Sequence, residues 1–226
     1  MLLSLLRNFG DFDIVNLIIR LSASAFVVFC TTPIHEFAHA FIAYKLGDHT
    51  ARLKGRLTIN PFAHINWIGA LMIFLVGFGY AEPVPVNVRN TKLKNKKVAM
   101  ALIAVAGPIS NLIMAFISLF FMFVVQKFFG ANDHIFVSSA YYFLYFVTSI
   151  NINLAVFNLL PVPPLDGSRI LFVFLPTKYY FSVMKYERYI SLGIMLLLFT
   201  GILTTPLVQL SNLVFNLFCM FFELIF

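Results

Sequence analysis

Long apolar runs separated by short polar, mostly basic linkers organise the chain. The first run, residues 12–46, is apolar except for Asp13, Asn16, Arg20, His35, Glu36, His39 and Lys45. At about 1.5 Å per residue, one straight helix of that length would exceed a hydrocarbon core of roughly 30 Å. Tilt, a kink at Pro33 or a first turn in the interface absorbs the excess, and Thr31-Thr32-Pro33 predicts a local break that frees backbone groups just before His35. Gly47-Asp48 stops the helix.

Residues 51–65 are polar and basic, with Asn60-Pro61 as a turn and His64 close behind. The apolar segment that follows, within 67–80, is too short to span a bilayer and predicts a re-entrant or short membrane hairpin that returns to the side it left. That places Arg52, Lys54 and Arg56 on the same face as Arg89 and the lysines up to Lys97. The spaced glycines and prolines of residues 77–85 predict an extended edge segment, an edge strand at most, able to take a peptide by strand addition.

Two core spans come next, 98–129 and 137–160. The first is expected to be interrupted at Ala106-Gly107-Pro108-Ile109-Ser110-Asn111, where small residues suit close helix packing and Asn111 is a candidate site-lining residue. The linker between the spans holds Asp133 and His134 but no Lys or Arg, which assigns it to the outer side, with His134 a solvated loop residue. The second span ends in Pro161-Val162-Pro163-Pro164-Leu165-Asp166-Gly167, a run that forbids regular helix at membrane depth unless protein or a wet cavity satisfies the backbone. Segments 189–203 and 207–226, joined by Thr204-Thr205-Pro206, read as structural C-terminal spans.

Composition agrees with this pattern. The 226 residues are 61% hydrophobic and 11% charged, and a mean hydropathy of +0.91 is far above that of a soluble domain. The chain reads as an all-α polytopic membrane protein, a single domain over 1–226 without internal repeats. The net charge of +7 lies at the edges of apolar segments, which fits cytosolic retention of those linkers and excludes nucleic acid as a partner. Cys30 and Cys219 lie in apolar stretches without ligand spacing, so a cysteine metal site is excluded. Residues 1–7 carry no basic region before them and no cleavage pattern after them, and are expected to be retained.

The candidate chemistry sits in Ile34-His35-Glu36-Phe37-Ala38-His39-Ala40. Histidines four apart share one helix face, and a glutamate beside the first lies within reach of whatever a metal holds there. Three ionisable groups within five residues of an apolar helix are costly unless they bind, pair or face a polar cavity. Asp166 is the one carboxylate between His134 and Glu187. It is either the third ligand, turned back into the bundle, or a surface Asp-Gly turn. The charge bias lets His35, His39, Asn111 and Asp166 converge in the cytosolic half of the membrane. Two histidines and one carboxylate are an established catalytic zinc set. With such a metal, Glu36 can take a proton from water and deliver it to a leaving amine, which leads to peptide-bond hydrolysis.

The His35-Glu36-Phe37-Ala38-His39 run, the 106–111 segment and Asn158-Leu159-Leu160-Pro161-Val162-Pro163-Pro164-Leu165-Asp166-Gly167 together resemble the site-2 protease family of intramembrane zinc metalloproteases, in its compact bacterial and archaeal branch without a PDZ domain. The resemblance covers residues 12–190, with three motifs in the family's order. It implies a site-2-protease-like transmembrane core and one Zn2+ per chain held by His35, His39 and Asp166. It further implies Glu36 as catalytic base and Asn158 near the centre, positioning the substrate carbonyl. The implied substrates are membrane-spanning proteins or peptides cleaved in or beside the lipid bilayer, and the implied location is a prokaryotic plasma membrane with the site toward the cytosol.

Two departures bear on substrate access rather than hydrolysis: Asn66-Trp67 stands where the branch usually has Asp-Pro, and Glu82 where a lysine is common. His64 is an accessory ligand, a proton relay, a gate residue or a packed loop histidine. Two other functions compete with proteolysis. A transporter or metal permease also suits buried histidine and carboxylate but gives Glu36 no role beside a ligand. An inactive scaffold is disfavoured by the full catalytic set.

Overall fold

The computed structural model describes residues 14–76, 82–130, 134–176, 182–183 and 185–226. Among these the secondary structure is helical, without a β-strand. Four helices are long and apolar enough to cross a membrane, over residues 14–45, 96–129, 135–158 and 204–223. The chain is thus an all-α integral membrane protein.

The first span has three parts: α1 (Ile14–Phe26), a π-helical turn (Val27–Thr31) and α2 (Thr32–Lys45). Pro33 lies in the first turn of α2 and has no N–H to return to the preceding turn. The helix widens there, and the Thr31 hydroxyl donates to the Val27 carbonyl at 3.0 Å. The break expected at 31–33 is therefore a π turn in a continuous helix. At the far end Gly47 takes φ of 102°, and the chain folds back so that the Asp48 N–H donates to Ala43 O at 2.9 Å. The short helix α3 (Thr50–Leu53) follows.

Helix α4 (Trp67–Val76) is 10 residues long, about half the length a spanning helix needs. The Asn66 side chain accepts from Ile68 and Gly69 N–H at 3.1 Å and starts it. Ala70 and Ile73 bury against Ala23, Val27 and Val28 of the first span and Val147, Ile150 and Leu154 of the third, residues 135–158. Of the expected extended segment, residues 77–81 lie outside the described residues; residues 82–87 are irregular backbone without a strand partner.

Helix α5 (Lys96–Phe129) begins at Asn95, whose side chain accepts from Lys97 and Val98 N–H. The interruption expected at 106–111 is corrected: α5 runs unbroken through Pro108, and the Ser110 hydroxyl donates to Gly107 O at 2.7 Å in the same turn. Helix α6 (Ile135–Asn158) packs along α5, joined by a 2.8 Å hydrogen bond between the Ser118 and Thr148 hydroxyls in the buried seam. The proline run then leads to α7 (Asp166–Leu171), followed by α8 (Glu187–Phe199) and α9 (Thr204–Glu223). Of the two expected C-terminal spans, the first is only 13 residues of helix. It ends before Gly201 at φ of 82°. Leu198 of α8 and Leu207 of α9 close a core with Ala115, Ile152, Val156 and Leu165 around the end of α6.

Candidate metal centre

His35 and His39 lie on one face of α2 with their Nε2 atoms 3.1 Å apart. The Asp166 Oδ2 stands 3.4 Å from the first and 3.2 Å from the second. The elements that bring them together are legible in the local chemistry. At 3.6 residues per turn, residues four apart stand one above the other on the same face. The proline run ends α6 and turns the chain back, so that Asp166 starts α7 facing α2. Gly167 makes this turn fit, because a Cβ there would overlap the carbonyl oxygens of Leu159 and Leu160.

The three donors fit a zinc ion. A tetrahedral ion with bonds of about 2.0–2.1 Å keeps its ligands roughly 3.3–3.4 Å apart, close to the spacing found. His39 Nδ1 lies 2.7 Å from the Ile103 carbonyl, so it donates there and leaves Nε2 with its lone pair toward the other two donors. Helix α5 supplies the wall. A Cβ at Gly107 would overlap both His39 Nε2 and His35 Nε2, so only glycine lets α5 approach without filling the place between the donors. Among the described residues, His35, His39 and Asp166 form the cluster able to hold a metal.

Glu36 is 7% exposed, and its Oε2 accepts from the Val84 N–H at 3.1 Å. The segment 82–87 therefore passes over the centre like a strap. Its first residue is tied down by Glu82 N–H to His64 O at 2.9 Å and by Arg56 to Glu82 O at 2.7 Å. Its last is tied by Asn87 N–H to Asp48 Oδ2 at 2.6 Å. Burial opposes the charged form of Asp48, but hydrogen bonds from Thr50, Asn87 and Asn90 outweigh it and hold the carboxyl below its ordinary value.

A cavity of about 320 Å³ opens beside the three donors. Asn111 and Asn158 both line it, and Asn111 Oδ1 is buried without a hydrogen-bond partner. His64 is elsewhere: it is fully buried in the 54–66 loop with Nε2 donating to Thr58 O at 2.8 Å, and it does not line the cavity. The structure adds residues that sequence reasoning passed over. Arg169 lines the same cavity, one helical turn beyond Asp166, a placement that the spacing Asp166-Gly167-Ser168-Arg169 could have signalled. Gly107 was legible only as a small packing residue, and Asp48 only as part of a helix stop.

With this geometry in view, similarity to known proteins becomes informative. The family model described as "Peptidase family M50" matches residues 23–200, which contain every donor named above. The chain belongs to peptidase family M50. YwhC of Bacillus subtilis (strain 168) is 46% identical over 138 residues, 61% of this chain and 62% of YwhC. Rip2 of Mycolicibacterium smegmatis is 30% identical over 139 residues, 59% of this chain and 50% of Rip2. The zinc metalloprotease MJ0392 of Methanocaldococcus jannaschii is 26% identical over 185 residues, 80% of this chain and 43% of MJ0392. The matched stretches thus span less than two thirds of these relatives' own length. No solved structure matches the chain significantly. Family membership implies zinc, and the donor set is one that could hold it.

Proposed function

We propose that the protein is a zinc-dependent intramembrane endopeptidase that hydrolyses peptide bonds of membrane-spanning proteins or peptides. The observation that carries this reading is the convergence of His35, His39 and Asp166 on one point, with Glu36 beside them in the same cavity, inside a bundle of apolar helices. Bound there, zinc supplies a Lewis acid for the scissile carbonyl and makes a water molecule more acidic. Glu36 then acts as general base toward that water and returns the proton to the departing amine. Val84 N–H fixes one of its oxygens and leaves the other free for that proton. In this reading the Asn158 side-chain amide donates to the substrate carbonyl, and Asn111, which lines the same cavity with its Oδ1 unpartnered, accepts from a substrate N–H.

The cavity also favours an extended substrate. A helix with side chains is about 10–12 Å across, and about 320 Å³ will not hold one, so a substrate helix must unwind to reach the centre. The strap is suited to pair with the unwound chain. Pro83 and Pro85 offer no donor and the Val84 N–H is taken by Glu36, which leaves the Val86 N–H and the strap's carbonyls for such pairing. Basic linkers around Arg52, Arg89 and Lys97 support a multi-pass arrangement in a prokaryotic plasma membrane with the centre toward the cytosol.

The test is cleavage of a membrane-spanning reporter in vesicles by wild type and Glu36→Gln, with zinc measured in both. Cleavage by wild type alone, at equal zinc, supports the reading. Equal cleavage by both removes Glu36 as the base.

A further inference from the structure

We propose that Asp48 is a positioning residue for the hydrolytic centre: it clamps the 82–87 strap at Asn87 and so sets where the Val84 N–H holds Glu36. The inference rests on the peptidase reading above but concerns a residue outside the metal and base set. Asp48 is fully buried, although it follows the helix end in a polar linker. Its Oδ2 accepts from Asn87 N–H at 2.6 Å, and its Oδ1 accepts from Thr50 N–H at 3.0 Å, Asn90 Nδ2 at 3.2 Å and the Thr50 hydroxyl. The bonds from Asn87 and Asn90 join the exit of α2 to residues 87–90, those from Thr50 hold the carboxylate in place, and the neighbouring Lys92 N–H to Leu46 O bond of 2.7 Å reinforces the seam.

The geometry explains how a contact at 87 reaches 84. Asp48 closes the C-terminal end of α2, its N–H donating to Ala43 O, so the same helix that carries Glu36 carries the clamp on Asn87 at its exit. Only three residues separate Val84 from Asn87, a reach of at most about 10 Å. The strap is thus held at two points three residues apart, Val84 by Glu36 and Asn87 by Asp48. Pro85 between them fixes its own φ and restricts Val84, so the segment transmits a displacement rather than absorbing it. Pro83 and Pro85 have no N–H, which leaves Val84 to make the strap's hydrogen bond to Glu36.

Asp48→Asn replaces one carboxylate oxygen by a donor, so it cannot accept from both Asn87 and the Thr50 pair. Val84→Pro removes the N–H on Glu36 directly. The full chain in detergent is compared as wild type, Asp48→Asn, Val84→Pro and the double variant, with Glu36→Gln alongside, by zinc content, reporter cleavage and amide exchange of the peptide covering 83–87. That peptide reports only the Val84, Val86 and Asn87 amides.

Asp48→Asn is expected to keep its zinc, to lower kcat about tenfold with little change in KM, and to speed exchange in this peptide. The double variant is expected to be no slower than the slower single variant, because both act through one hydrogen bond. Losses that multiply in the double variant overturn the proposal, as does unchanged exchange in Asp48→Asn. Should wild type fail to cleave, the peptidase reading falls, while the exchange measurement still decides whether Asp48 holds the strap.

Discussion

Gly107 and His39 approach so closely that the place of a Cβ at 107 is taken by the imidazole Nε2. The small residue on α5 is therefore a wall of the metal centre rather than generic helix packing. Gly107→Ala should force α5 and α2 apart at the donors. A zinc titration of the purified variant is expected to show at least about tenfold weaker binding, with the two spans still helical by circular dichroism.

Gly167 plays the matching part for the third donor. Its missing Cβ lets α7 start against the carbonyls of Leu159 and Leu160. Overpacking a site of this kind costs about 1–3 kcal/mol, and here the strain would move Asp166. Gly167→Ala is expected to lower zinc stoichiometry and the melting temperature together, whereas Asp166→Ala lowers zinc stoichiometry directly by removing the ligand.

How far the sequence carried this account depended on the distance over which each feature acts. Helix spans, the His35/His39 face and the break before Pro33 follow from local periodicity and proline chemistry, so they were legible. The return of Asp166 to α2 is a long-range contact, and without the family resemblance its residues fitted a surface turn equally well. The unbroken course of α5 through Pro108 shows tertiary packing overriding a local breaker. Asp48 was hidden because Gly-Asp after a helix is common, and only the fold brings Asn87 to it.

Asp48 also gives the strap a pH dependence. Its folded-state pKa lies below the ordinary value of 3.8, so its contribution to stability is complete above that value. It is lost as the pH falls through the lower folded value. Melting temperatures measured from pH 6 down to pH 3 should fall more steeply for wild type than for Asp48→Asn, which has no carboxylate to protonate there. Parallel curves would show that the clamp carries no stability.

The Ser118 to Thr148 bond tests the α5/α6 seam away from the centre. Interhelical hydrogen bonds in membranes average about 0.6 kcal/mol. Ser118→Ala is expected to cost about that much in a denaturation series, with zinc content unchanged and little further loss when Thr148→Val is added.

The central claim is that His35, His39 and Asp166 hold one zinc ion that cleavage requires. Its most direct test is to strip the purified protein with a chelator and follow cleavage of a membrane-spanning reporter as zinc is added back. The expected result is no cleavage without metal and full recovery at one zinc per chain. Cleavage by the metal-free protein at the wild-type rate would contradict the claim.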